Sequence, residues 1–156
     1  MILTTNMYNW LKNINLKKLL VASLVYTLIA MIIHEIEALL TLQYYMKPQY
    51  FGLWSRLLMP TAGPPPLEFF VTSFLFSFTT GIALAFVYFL IKDQLSTKFR
   101  ERSLLFADIL ICMYFVFFTL PTYLMFNAPF GLLVIWFISA FVILTLSAMA
   151  YVKIFR

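Results

Sequence analysis

The sequence predicts an all-α integral membrane protein, a bundle of four transmembrane helices. Its 156 residues are 63% hydrophobic and only 11% charged, and the mean hydropathy is +0.95. Soluble domains are typically about 45–50% apolar and about 25% charged. A chain of this size cannot hide such an excess in one soluble core, because a small fold leaves a large surface in water. The composition therefore excludes soluble enzymes, disordered tails and nucleic-acid-binding modules.

Two long apolar runs predict the first two spans. A helix crosses a hydrocarbon core of about 30 Å with about 20 apolar residues. The first span covers residues 19–43 and carries no charged side chain before His34 and Glu35. The second covers residues 68–92, with no charge from Phe69 to Ile91. Both runs are continuously apolar, which favours helices over the alternating strands of a membrane barrel.

The last part of the chain contains two further spans. Residues 109–152 carry no charge and would form a helix of roughly 66 Å, about twice the membrane thickness, so the chain must fold back. The break is predicted at residues 127–131, because Pro129 lacks a backbone donor and disfavours helix in the residue before it. The third span is then 103–126 and the fourth 131–152, within a single domain of residues 1–156. Pro121 is expected to kink the third span.

The distribution of basic residues predicts the orientation. Cytoplasmic loops are enriched in Lys and Arg. With four spans, both termini and the loop between spans two and three share one side, and the other side has only Lys47 and Arg56. Both termini are therefore expected in the cytosol, and the protein in the cell or cytoplasmic membrane. The basic residues of the cytosolic side are Lys12, Lys17, Lys18, Lys92, Lys98, Arg100, Arg102, Lys153 and Arg156.

Small residues predict how the helices pack. Close approach of small side chains replaces the hydrophobic effect as the force between helices in lipid. Ser73, Ser77, Gly81 and Ala85 recur every four residues on the second span. This stripe predicts a groove for a neighbouring helix, a bundle with the second helix at its centre and, as an alternative, a homodimer.

Ionisable residues inside the first span mark the main candidate site. Such groups cost roughly 2.5–3.5 kcal/mol on insertion scales and are therefore the first place to look for function. His34 and Glu35 lie about 24 Å beyond Lys18 along a helix, in the outer leaflet. His34 and Glu37 share one helix face, which is expected to point into the bundle, while Glu35 points elsewhere.

The 24-residue outer loop, Tyr44 to Leu67, is longer than a simple connection needs. It brings Arg56 near the carboxylates, and Glu68 starts the next helix. One interpretation is a lid that seals the bundle, with Arg56 neutralising Glu35 or Glu37. The other is a ligand or ion site under that loop, formed by His34, Glu35, Glu37, Arg56 and Glu68.

Asp108 is the ionisable residue near the cytosolic end of the third span. Lys92 ends the second span at a similar depth, so the sequence predicts a buried Asp108–Lys92 pair. A proton-relay role for Asp108 is the alternative.

Most familiar membrane chemistries are excluded or incomplete. The string His34-Glu35-Ile36-Glu37-Ala38 resembles the zinc-protease pattern HExxH, but Ala38 stands where the second His belongs. One His excludes a bis-His haem, a single Cys112 excludes an intrachain disulfide, and no spanning Lys is available for a retinal Schiff base. No cofactor, metal or nucleic acid is predicted.

The expected function is therefore non-enzymatic, an accessory or scaffold subunit of a membrane assembly. Its partners would be the lipid bilayer and other membrane subunits or a homo-oligomer. The first alternative is a small-molecule or ion binder or transporter with its site in the outer leaflet under the 44–67 loop. The second is a membrane enzyme with His34 as acid or base.

Overall fold

The computed structural model describes residues 15–55, 57–59 and 64–156, and over these residues it is helical with no strand. Four stretches are long and apolar enough to cross a membrane. This confirms the four predicted spans and indicates a membrane-embedded, multi-pass helical protein. The α-helices are α1 Leu16–Tyr45, α2 Leu67–Ile91, α3 Phe99–Tyr114, α4 Leu120–Met125 and α5 Phe130–Ile154.

The helix ends follow from capping and proline. The Asn15 side chain accepts a hydrogen bond of 3.1 Å from the Lys18 backbone N–H and thus caps α1. Pro66 and Pro129 immediately precede α2 and α5, where a missing backbone donor does no harm. The third span begins at Phe99, four residues before the predicted Ser103, because its first turn extends into the polar segment.

The third span is one helical stretch from Phe99 to Met125 that contains a π-helical turn beside Pro121. A π-helical turn, Phe115–Thr119, separates α3 from α4, and Pro121 lies at the start of α4. Proline has no N–H to donate and its ring crowds the preceding turn, which the wider π turn accommodates.

The helices pack in the order α2–α1–α5–α3. α1 contacts both α2 and α5, and α5 contacts α3 in turn, so the prediction of a central second helix is wrong. The reason lies in α1, where small or short side chains are fully buried on more than one side: Ala22, Ser23, Thr27, Ala30 and Thr41. These let two neighbours approach α1 closely.

The two ends of the bundle differ in packing. At the basic end, where α1 begins and α5 finishes, Lys18 Nζ donates to the Arg156 backbone oxygen at 2.8 Å. The aromatic rings of Tyr88, Phe106 and Tyr151 meet there, with centroids 5.1–6.3 Å apart, and close the bundle across three helices. The opposite end, here called the loop end, carries the long loop of residues 46–66 between α1 and α2.

Candidate functional site

The contact between α1 and α2 is tightest at Gly81. A Cβ atom placed there would lie 2.9 Å from both Cα and O of Ser23, closer than real side chains approach. Ala85, one turn nearer the basic end, is fully buried. The Tyr151 hydroxyl on α5 donates to the Gly81 carbonyl oxygen at 3.3 Å. Half of the predicted small-residue stripe is therefore the closed contact between α1 and α2.

The other half of the stripe borders an open space. Toward the loop end α1 and α2 separate, and a cavity of about 1040 Å³ lies between them, lined by Ser73 and Ser77 on the α2 side. We call it the seam cavity. It is partly open to the surroundings, and the long loop contributes to its wall through Phe51 and residues 57–59.

Three ionisable side chains of α1 line the seam cavity: His34, Glu35 and Glu37. His34 Nδ1 lies 3.3 Å from Glu37 Oε2, so an imidazole and a carboxylate share one hydrogen bond. The His34 side chain is 57% exposed, whereas that of Glu37 is 10% exposed. Glu37 is thus the inner member of the pair and His34 the accessible one.

The local helix geometry explains this arrangement. A spacing of three residues places His34 and Glu37 on neighbouring positions of one face, as the sequence predicts. One turn further, the Thr41 hydroxyl donates to the Glu37 backbone oxygen at 2.7 Å. Glu35 was expected to point away from this pair, yet it borders the same cavity, because the separation of α2 exposes a broad arc of α1.

The rest of the cavity wall is mostly apolar and aromatic. Tyr45 on α1 and Phe69, Phe70 and Phe76 on α2 supply rings, and Thr72 adds a hydroxyl. Pockets for small organic ligands typically combine an apolar lining with a few convergent polar groups. The seam cavity has this composition.

Aromatic contacts hold the first part of the long loop against the bundle. The rings of Tyr45 and Trp54 lie 4.3 Å apart, and Trp54 meets Trp136 of α5 edge-on at 6.4 Å. Tyr44 and Tyr50 form a further pair at 5.8 Å. The loop is therefore attached to both α1 and α5, on the side of the cavity away from α2.

The remaining predicted site residues are not brought into this group. Arg56, like Lys12, lies outside the described residues. Glu68 is exposed in the first turn of α2, where a negative charge favours the helix start, and it does not line the cavity.

The structure does not form the predicted Asp108–Lys92 pair. Lys92 Nζ lies 3.7 Å from Asp93, its neighbour in sequence, and Asp108 is in no ion pair within the described ranges. Phe106 contacts Tyr88, so Asp108 stands about 9 Å beyond the level of Lys92 along the bundle axis. Asp108 also faces outward on α3.

Sequence reasoning missed the aromatic half of the site. Tyr45, Phe69, Phe70 and Phe76 line the cavity and were not among the predicted site residues, because aromatic side chains of a membrane span usually contact lipid or the interface. Tyr45 and Phe69 stand beside the loop that follows the His34–Glu37 segment, and this position is the sequence signal that could have identified them.

Within the part of the chain that the structure describes, no group of three or more His, Cys, Asp or Glu side chains is arranged to hold a metal ion. Comparison with known proteins found no matching family model, no matching curated protein and no matching solved structure. The interpretation of the site therefore depends on its geometry.

Proposed function

We propose that this protein binds a small amphipathic molecule in the seam cavity, within the membrane. The observation that carries this proposal is that His34, Glu35 and Glu37, the ionisable groups well inside the α1 span, all line one cavity of about 1040 Å³. That volume matches the upper end of the range for small-molecule sites, about 300–1,000 Å³.

Passive packing gives a poor account of this arrangement. Each ionisable group inside a span costs roughly 2.5–3.5 kcal/mol, and helix packing alone needs none of them. The closed half of the same contact uses Gly81 and Ala85 instead. A bound molecule with a polar head and an apolar body would use both the His34–Glu37 pair and the aromatic wall.

The proposal includes an orientation. Lys and Arg of the described residues are concentrated at the basic end, which by the positive-inside tendency faces the cytosol. The seam cavity then lies in the outer leaflet of the cell or cytoplasmic membrane, beneath the long loop. Labelling of a cysteine at Lys47 by a membrane-impermeant reagent added to whole cells, in a Cys112→Ser background, tests this placement.

Native mass spectrometry of the purified protein tests the binding function. We expect the parent to retain a small amphipathic molecule in mild detergent and Ser77→Phe to lose it, because the phenyl ring would enter the cavity from the α2 wall and take space that the ligand occupies. Ala83→Phe is the matched control, since Ala83 is exposed on the same helix. The proposal would be contradicted if Ser77→Phe and Ala83→Phe both retained the molecule. It would also be contradicted if neither the parent nor either variant retained one.

A second function, an accessory subunit of a membrane assembly, is favoured by Asp108. This residue lies on an exposed face of α3 with Leu104, Leu105 and Ile109. Because Phe106 meets Tyr151, Asp108 lies about 6 Å deeper than Lys153. A carboxylate at this depth is stabilised by a basic partner, and within the described residues none pairs with it.

Cross-linking in membranes tests the subunit role. Cys112 is exposed one turn beyond Asp108, so a photoreactive group attached there reports on a neighbour of this face. We expect an adduct of one defined mass that is lost in Asp108→Asn. An unchanged adduct in Asp108→Asn, or labelling of lipid alone, would remove this role.

A further inference from the structure

The seam cavity carries an unbalanced negative charge among its described residues. Glu35 and Glu37 both line it, and no described lining residue is Lys or Arg. Glu37 shares its hydrogen bond with His34, whereas Glu35 is in no ion pair within the ranges that the structure describes. One carboxylate is thus partnered by an imidazole and the other is open to the cavity.

A carboxylate in such a place needs a partner. Charged groups away from bulk water are stabilised by an opposite charge and by hydrogen bonds, and an isolated one is costly. A cationic ligand in the seam cavity would supply an opposite charge to Glu35, which no described residue does.

The aromatic wall suits the same kind of ligand. Tyr45, Phe69, Phe70 and Phe76 surround the cavity, and aromatic faces attract ammonium groups. The apolar remainder of the wall accommodates a hydrocarbon chain. An anionic head group would meet two carboxylates and is disfavoured.

We infer that the ligand of the seam cavity is a cationic amphiphile, an ammonium group joined to a hydrocarbon chain, with Glu35 and Glu37 as its counter-ions. The inference rests on the proposed binding function and names its ligand class. The same chemistry occurs in free long-chain amines and in lipids whose head group ends in an amine.

Three twelve-carbon probes of different charge test the inference: dodecyltrimethylammonium, dodecanol and laurate. Each is added to the purified protein in a neutral maltoside detergent, and the unfolding temperature is recorded against probe concentration. A ligand that binds only the folded state raises stability by RT ln(1 + [L]/Kd). We expect the cation to raise the unfolding temperature most and laurate least.

Charge-neutralising variants identify the residues. Glu35→Gln and Glu37→Gln should each weaken binding of the cation by about tenfold or more, because each variant removes one of its two counter-ions. Glu68→Gln is the matched control, being the same exchange at an exposed position outside the cavity. Glu37 is buried, so Glu37→Gln could impair folding. In that case Glu35→Gln, at an exposed position, still tests whether a carboxylate of the cavity binds the cation.

The outcomes separate the inference from the proposed function. Equal stabilisation by all three probes, lost in Ser77→Phe, would overturn the cationic ligand and leave the binding site. Stabilisation by the cation that persists in both Glu35→Gln and Glu37→Gln would also overturn it. No stabilisation by any probe would count against the binding function itself.

The two ligand sources are then distinguished in lipid nanodiscs. Binding of dodecyltrimethylammonium that is displaced by phosphatidylethanolamine but not by phosphatidylglycerol would assign the site to an amine-bearing lipid. Binding that neither lipid displaces would assign it to a free amine.

Discussion

The same sequence pattern, a small residue every four positions on α2, lies in close helix contact in one half of the α1–α2 interface and beside a cavity in the other. Near the basic end, Gly81 meets the backbone of α1 so closely that no Cβ atom fits, and Ala85 is fully buried. Near the loop end, Ser73 and Ser77 continue the same four-residue spacing, yet they border a cavity of about 1040 Å³. Small residues therefore permit close packing, but whether the helices meet depends on the side chains of α1 that face them. These are Ala22 and Ser23 in the closed half, and His34, Glu35 and Glu37 in the open half.

The largest expected effect is in the closed half. Gly81→Leu should lower the free energy of unfolding by about 3 kcal/mol or more, because even its Cβ would lie 2.9 Å from Ser23 Cα. Thermal unfolding in detergent measures the loss. Ala83→Leu, at an exposed position two residues away, should have the unfolding temperature of the parent. If Gly81→Leu also had the unfolding temperature of the parent, the close contact between α1 and α2 at Gly81 would be contradicted.

Introducing the same side chain into each half compares them directly. Ala85→Leu should destabilise by about 1–3 kcal/mol through overpacking, because Ala85 is fully buried. Ser77→Leu should change stability by less than about 0.5 kcal/mol, because its side chain enters the seam cavity. Equal losses in the two variants would show that the helices are packed alike along their whole length.

The loop contacts provide a smaller effect that is confined to the open half. Trp54→Ala removes two aromatic contacts, each worth about 0.5–1.5 kcal/mol. We expect faster protease cleavage within residues 46–66 and an almost unchanged global unfolding temperature. Phe117→Ala, which removes an exposed ring of the π turn, controls for general effects of losing an aromatic side chain, and cleavage that rises equally in both variants would contradict the anchoring role.

The smallest expected effect comes from the hydrogen bond that ties α5 to the closed half. Tyr151→Phe removes the donor to the Gly81 carbonyl oxygen and leaves the ring. Hydrogen bonds between helices in membranes average about 0.6 kcal/mol, so the loss should be close to that value. Tyr123→Phe, at an exposed position of α4, is the control in the same unfolding measurement.

The fold could be predicted from the sequence because each span is a long apolar run, and the breaks are marked by proline and charge. The packing order could not, because it depends on which of several small-residue faces are buried. Ala22, Ala30 and Thr41 on α1 compete with the Ser73–Ala85 stripe, and sequence spacing does not rank them.

The candidate site was predictable only in its polar part. His34 and Glu37 are conspicuous because ionisable residues are rare in apolar spans, and their spacing places them on one face. Glu35 was also a predicted site residue, but on another helix face; its position beside the same cavity, like the aromatic wall, depends on the separation of α2 from α1, a tertiary feature with no local signal. The Asp108–Lys92 pair failed for a similar reason, since depth along two helices is fixed by their packing.

Protection of an introduced cysteine reports whether a ligand occupies the seam cavity. In a Cys112→Ser background, Ser73→Cys places a thiol in the seam cavity and Ala83→Cys places one on the exposed side of the same helix. We expect dodecyltrimethylammonium, at about ten times its Kd, to slow maleimide labelling of Ser73→Cys about tenfold and to leave labelling of Ala83→Cys unchanged. Equal labelling of Ser73→Cys with and without the amphiphile, at concentrations that saturate any stabilisation, would contradict a ligand in the cavity.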